Sequence, residues 1–268
     1  MNEVSRITVI MGIYNCAETL VEALESLEGQ TYKRFQVVLC DDGSTDNTLE
    51  IAQQWAQMHS NYIVIKNGRN LGLNATLNHC LKYVDTEYVA RMDGDDRSLP
   101  CRFELEIKFL DEHPEYSVVS GPMYYFDESG IFMKGQGNGE VMKKDFIKGS
   151  PICHAPCMVR REAYEKVQGY SVADSLLGVE DYHLWFKMYS VGYKAYNLKE
   201  PIYEMRDDRN AVARRTFSRR FREAYVQHIG FRMIGLPWWT QIYCLIPLIK
   251  ACLPIWLYKI LRQAKMNK

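Results

Sequence analysis

No run of this chain is apolar for long enough to cross a bilayer as a helix. The longest uninterrupted apolar runs reach about eight residues, where a spanning helix needs roughly twenty. The N-terminal stretch MNEVSRITVIMGIYN has no cleavable signal, because its apolar run of about six residues closes in a polar turn. The eight cysteines (Cys16, Cys40, Cys80, Cys101, Cys153, Cys157, Cys244 and Cys252) never take the paired close spacing of a zinc site. Cys153-His154-Ala155-Pro156-Cys157 comes nearest but lacks a second ligand pair. At 268 residues the protein is too large to need a disulfide frame, so a reducing cytosol fits best. A glycine-rich, basic phosphate loop is also missing: GIYNCAET follows the first apolar run, and Gly135 to Glu140 has no phosphate-loop lysine pattern. That weighs against a nucleotidyltransferase. No Ser-His or Cys-His nucleophilic set stands out, so a covalent intermediate is not expected.

Net charge is absent as well, yet the zero conceals a split. Residues 1–200 carry roughly nine more acids than bases, and the remainder about nine more bases than acids. An acidic body that handles phosphates needs a metal ion or local arginines, and a basic end suits an anionic neighbour such as a phospholipid surface. At 47% hydrophobic and 25% charged, the chain can bury a core of ordinary size.

What is present is alternation. Ile7–Met11, Phe35–Cys40, Tyr62–Ile65 and Tyr88–Met92 are short β-rich apolar runs. Between them, Glu18 to Leu27, Thr45 to Met58 and Asn74 to Val84 place apolar residues at helical spacing. Connections this long predict βαβ units, an α/β fold and a parallel sheet with ligands at the carboxyl ends of its strands. Polar clusters fall at those ends: Tyr14-Asn15, Asp41-Asp42, Asn67 to Gly72 and Asp93 to Asp96. Further on, Val118 to Ser120 and Met123 to Phe126 are expected strands, and Glu180 to Tyr189 a helix with acids in its first turn. A basic helix is expected over Arg214 to Gly230. It leads into an apolar and aromatic segment, Pro237 to Leu261, interrupted by Pro247, Lys250 and Pro254.

Arg91-Met92-Asp93-Gly94-Asp95-Asp96 sets three carboxylates in four positions, which repel one another unless a positive charge sits among them. A hard divalent cation, Mg²⁺ or Mn²⁺, is the natural answer, although a solvated acidic turn has the same letters. Asp41 to Asp46 ends the second strand. Helix capping accounts for Ser44 or Asp46 but not for two acids at the strand end, where an acceptor could take a uracil N3–H or ribose hydroxyls. Glu180-Asp181 reads as a capped first turn or as a positioned general base.

ITVIMGIYN, LCDDGSTDNTLEIA, NLGLNATLN, ARMDGDD and GVEDYHLWFKM, in this order over roughly residues 6–210, resemble the successive motifs of glycosyltransferase family 2. The resemblance implies a GT-A fold: a Rossmann-like, mostly parallel mixed sheet flanked by helices. It divides residues 1–116, for the nucleotide sugar, from 117–212, for the acceptor, and leaves 213–268 as a helical tail. It implies inversion at the anomeric carbon, and bacterial exopolysaccharide, capsule or lipopolysaccharide synthesis. Carried onto this sequence, Ile13, Tyr14 and Asn15 wall the base, with Glu18 nearby. Asp41 and Asp42 match the nucleoside-binding acids, and Asn70 and Gly72 the loop under base and ribose. Asp93 and Asp95, around Gly94, match the Asp-x-Asp pair, Asp95 being the direct metal ligand. Asp181 matches the general base, supported by Glu180. Three departures stand out. Gly12 precedes Ile-Tyr-Asn where many members have proline in that turn. Leu77 sits where many carry an arginine for the diphosphate, a role left to Arg91. Arg206 falls near a position where many show histidine. His154 lies in the acceptor region, as an acceptor contact or a core histidine.

The expectation is thus a Mn²⁺- or Mg²⁺-dependent transfer from a UDP-linked donor to a glycan or lipid-linked acceptor. The enzyme would be cytoplasmic and peripheral on the inner membrane, with no nucleic-acid partner. The tail, with Trp238, Trp239 and Trp256, would lie in the headgroup layer, pair with a second copy as a homodimer, or pack on the domain's own flank. The non-enzymatic alternative is an interaction protein that keeps the fold and binds a partner through its basic C-terminal helix.

Overall fold

The computed structural model describes residues 4–207 and 217–252. β1 (Ile7–Ile13), β2 (Phe35–Asp41), β3 (Tyr62–Lys66) and β4 (Tyr88–Arg91) alternate with α1 (Leu20–Glu28), α2 (Thr48–Met58) and α3 (Leu73–Leu81). All four strands pair in parallel in the order β3-β2-β1-β4. β1 and β4 are buried almost throughout, and mostly apolar, because helices cover both faces of the sheet. α1 shows the cause of that cover: Leu20, Ala23, Leu24 and Leu27 form one stripe facing the sheet, and Gly29 closes the helix.

The second half follows as β5 (Arg97–Ser98), α4 (Arg102–Glu112), β6 (Val118–Ser120), β7 (Met123–Asp127), β8 (Gly130–Lys134), β9 (Gly139–Glu140), β10 (Met158–Arg160), α5 (Arg161–Val167), α6 (Glu180–Ser190), β11 (Ala195–Asn197) and β12 (Tyr203–Arg206). β10 inserts antiparallel between β4 and β6, and β11 and β9 extend the sheet to eight strands. The mostly parallel mixed sheet flanked by helices that the resemblance implies is present. A separate four-stranded sheet, in the order β5-β12-β7-β8, stands beside the main one. Pro122 offers no N–H to a ladder, so the run from Val118 breaks after Ser120 and β7 leaves for the second sheet.

α7 (Phe217–Met233) and α8 (Leu245–Cys252) complete the described chain. α7 buries Val226 and Phe231 in the core that α6 shares. Gly230 permits this approach, because a Cβ there would lie 2.2 Å from the Phe186 ring. The described part of the tail therefore packs on the domain's own flank, while Trp238, Trp239, Ile242 and Ile249 stay exposed. Among the described residues no helix is long and apolar enough to cross a membrane. The boundary at 212/213, the helix start at Arg214, and the segment holding Pro254, Trp256 and Leu261 lie outside the described residues.

Candidate active site

Ligand-facing loops gather where β1, β2 and β4 end. After β1 the chain turns at Asn15, whose φ of +47° is tolerated by asparagine better than by bulkier side chains. Its Oδ1 accepts from the Thr45 N–H at 2.8 Å, and its own N–H donates to Ser44 Oγ at 3.0 Å. Asp46 adds a second tie, accepting from Thr48 N–H at 3.0 Å and Ala17 N–H at 3.2 Å. Bonding to Thr48, more than any other contact, holds its pKa below the usual carboxylate value. The loops after β1 and β2 are thus one hydrogen-bonded unit.

Asp41 and Asp42, equivalent in the sequence, separate in the structure. Asp42 accepts from Asn67 Nδ2 at 2.8 Å, from Leu71 N–H at 2.8 Å and from Gly72 N–H at 2.9 Å, so it fastens the loop before α3. Asp41 Oδ2 accepts from the N–H groups of Gly43 and Ser44, while its buried Oδ1 has no partner among the described residues. Gly43, at φ +75°, lets this loop pass under the next one: a Cβ would lie 2.8 Å from the Arg69–Asn70 backbone. Asn70 is exposed and its Oδ1 accepts from Gly72 N–H, at φ +86° for Gly72.

β4 delivers the acidic turn. Asp93, Asp95 and Asp96 each present a carboxylate oxygen within 4.8 Å of the others. Asp95 is exposed, whereas Asp96 is buried and accepts from Arg206 N–H at 2.7 Å. Burial, followed by repulsion from Asp93 and Asp95, pushes Asp96 up to about 8. Partial desolvation by the surrounding turn, then the Asp93 charge, likewise raises Asp95, although its side chain still reaches solvent. The group therefore holds more negative charge than its surroundings balance, which suits a hard divalent cation with oxygen ligands. Arg91 lies beneath, buried, with both terminal nitrogens on the Asp93 carboxylate. Burial works against its charge, but Asp93 together with Asp96 and other neighbours outweighs it, and the guanidinium stays firmly protonated.

Beside this turn opens a cavity of about 510 Å³, lined by Tyr14, Asn15, Glu18, Asp93, Asp95 and Arg206 among others. Gly94 also borders it, and a Cβ there would meet Cys16 Sγ at 2.8 Å. Arg206 enters from β12, paired with Glu22 and donating Nε–H to the Asp95 carbonyl at 3.1 Å.

Other expected site residues sit around rather than on the cavity wall. The Ile13 side chain is buried in the core under Gly94 instead of walling the cavity. Glu180 and Asp181 open α6, both half-buried. Burial, then the Glu180 charge, pushes Asp181 up to about 6, while Arg91 pulls the other way. His154 is half-buried, with Nε2 2.7 Å from the Tyr170 hydroxyl. Burial, then Arg91, holds it well below the ordinary imidazole value, hence neutral. Asp96 belongs to the acidic group although the Asp-x-Asp pattern singled out only Asp93 and Asp95. Thr19, which donates to the Gly94 carbonyl at 3.0 Å, carried no sequence signal.

Residues 8–168 match the family described as Glycosyl transferase family 2. EpsE of Bacillus subtilis (strain 168), named as a glycosyltransferase, is 41% identical over 95% of this chain and 92% of its own length. The chain belongs to glycosyltransferase family 2. A further relative, the Escherichia coli UDP-Glc:alpha-D-GlcNAc-diphosphoundecaprenol beta-1,3-glucosyltransferase WfaP, is 27% identical over 92% of this chain and 95% of its own. Among solved structures, S. aureus TarS 1-349 in complex with UDP-GlcNAc superposes with a TM-score of 0.71 at 21% identity, covering 92% of this chain and 71% of the TarS 1-349 chain. The family 2 chain thus has the GT-A fold, and it is a glycosyltransferase whose acidic turn sits at the strand end where that fold places ligands.

Proposed function

We propose that this family 2 enzyme inverts configuration as it moves a sugar from a UDP-sugar to a hydroxyl of a lipid-linked or growing glycan in cell-surface polysaccharide synthesis. The convergence of Asp93, Asp95 and Asp96 at the β4 end, the first two of them on the cavity wall, carries the proposal. The names of WfaP, with its UDP-glucose donor and lipid diphosphate acceptor, and of the TarS complex with UDP-GlcNAc favour this donor and acceptor class.

In this scheme Asp95 and Asp93 hold Mn²⁺ or Mg²⁺, whose charge when bound steadies the leaving diphosphate. Asp41 offers its free oxygen to the nucleoside, Tyr14, Asn15 and Glu18 form the wall around it, and Asn70 and Gly72 the loop beneath. Arg206 swings from Glu22 to the diphosphate, while Arg91 supports the site from below through Asp93. Asp181, kept near by α6 and charge-coupled to Glu180, takes the proton of the acceptor hydroxyl as its oxygen closes on the anomeric carbon. The nucleotide diphosphate leaves from the opposite face in the same displacement. His154, neutral, borders the acceptor, so that residues 117–212 form the acceptor half and 1–116 the donor half.

We place the enzyme on the inner face of the cytoplasmic membrane, where exposed Trp238 and Trp239 beside Arg232 favour the headgroup layer. The test is hydrolysis of a panel of UDP-sugars with and without Mn²⁺. Turnover that requires the metal, and is lost in Asp95→Ala while thermal unfolding is unchanged, supports the proposal. A folded wild type that neither binds nor hydrolyses any nucleotide sugar overturns it in favour of an interaction protein.

A further inference from the structure

Arg102 and Glu106, one turn apart on α4, form an ion pair with no solvent exposure at all. Arg102 Nε donates to Glu106 Oε2 at 3.0 Å, but Arg102 Nη1 and Glu106 Oε1 have no partner among the described residues. Burial pushes Glu106 up to about 8 despite the neighbouring guanidinium. Such a pair is a poor source of stability, since apolar side chains of similar volume fill a core at least as well. Its geometry suggests a different use.

The ladder of β4 ends with the Met92 N–H on the Ile10 carbonyl, and at the threshold of the acidic turn the Arg91 carbonyl and the Asp93 N–H are taken up by two side chains. Arg102 Nη2 donates to the Arg91 carbonyl at 2.8 Å and to the Cys157 carbonyl at 3.3 Å, and Cys157 also receives the Arg91 N–H at 3.0 Å. The Asp93 N–H donates to the Tyr203 hydroxyl at 3.2 Å. The Arg102 guanidinium lies over the Tyr203 ring, 5.2 Å from its centroid, so the two supports rest on each other. Tyr203 is itself fully buried on β12, in the second sheet. The bracket therefore ties the end of β4 in the main sheet to β12, the strand that also carries Arg206.

We propose that Arg102 and Tyr203 are positioning residues that set the Asp93–Asp96 turn for cation binding, an inference that rests on the metal-dependent reading above. Neither touches substrate or metal. They act by fixing the backbone on which the Asp93 and Asp95 carboxylates stand, as outer-shell partners tune ligand sites elsewhere.

Removing Arg102 alone would strand the Glu106 carboxyl and confuse stability with position. The double variant Arg102→Met with Glu106→Leu removes the buried pair together, and Tyr203→Phe removes only the hydroxyl while keeping the ring. Mn²⁺ binding is read by electron paramagnetic resonance of the free ion in the presence of UDP, UDP binding without metal by calorimetry, and folding by thermal unfolding. The expected result is Mn²⁺ affinity weakened about tenfold to a hundredfold in both variants, with metal-free UDP affinity and melting temperature close to wild type. Wild-type Mn²⁺ affinity in Tyr203→Phe, or in a folded double variant, overturns the inference while leaving the functional reading intact. Absence of Mn²⁺ binding by wild type overturns the functional reading, and this inference with it. If the double variant does not fold, Tyr203→Phe decides alone.

Discussion

Both terminal nitrogens of Arg91 close on the carboxylate of Asp93, two residues further along the chain, so a buried cation sits directly under an acidic group at the cavity rim. It offsets part of the charge that Asp93, Asp95 and Asp96 accumulate. Arg91→Met should lower the melting temperature, since Asp93 loses its partner. Saturating Mn²⁺ should then restore more of the variant's stability than it adds to wild type, because the ion replaces the missing charge. Melting curves with and without Mn²⁺ check this; equal shifts in both proteins contradict it.

Asp181, pushed up to about 6, can serve as the proposed base only above that pH, where it is ionised. Turnover should fall about tenfold per pH unit below 6. Glu180→Gln removes a repelling charge and should move the acid limb to lower pH. The sign for stability runs opposite to that for activity. A carboxyl whose folded pKa is raised above its unfolded value favours the fold most in acid and loses that advantage as pH rises through 6. Asp181→Asn should therefore be inactive yet more stable than wild type at pH 8, by about 1–3 kcal/mol. Urea denaturation at pH 5 and pH 8 measures the difference, which should shrink at the lower pH.

Asp41 and Asp42 should behave differently despite adjacent positions. Asp42→Ala leaves the Leu71 N–H and the Asn67 amide without this acceptor, and leaves the Gly72 N–H with Asn70 Oδ1 alone. That should cost about 2–4 kcal/mol, because only the Asn67 amide among these donors is buried, and a buried donor left unpaired costs roughly 1–3. Asp41→Asn disturbs folding less but turns the free acceptor into a donor in one rotamer, so UDP affinity should drop about tenfold. Calorimetry with UDP, beside melting curves, separates the two effects.

Trp238 and Trp239 project into solvent from the 3-10 helix Trp238–Cys244. Replacing both with alanine should abolish sedimentation with anionic phospholipid vesicles while leaving hydrolysis of soluble UDP-sugars unchanged. Undiminished sedimentation of the variant would send the search for a membrane contact elsewhere.

The first half of the chain was largely legible in the sequence. Strands β1 to β4 and their helices announce themselves through apolar runs and helical spacing, and the acids fall at strand ends as parallel topology requires. What stayed hidden was set by distant contacts. α4 escaped notice because it buries Arg102 and Glu106 on its inner face, breaking the apolar stripe that marks a helix. β10 and β12 are only three and four residues long, too short to show a period. The different duties of Asp41 and Asp42 depend on the loop before α3, thirty residues away, and no local pattern distinguishes them. The inward turn of Ile13 follows from strand alternation, yet the motif alone does not say which of its neighbours faces the ligand.

The bonds that join Asn15 to Thr45 and Ser44 have a consequence for anyone wishing to retool this enzyme. Grafting either loop alone from a relative would break a shared fastening and spoil both, so the two must be exchanged together. Tyr14 and Glu18 take no part in that fastening while bordering the cavity, so under the proposed function they are where donor preference would be altered one side chain at a time.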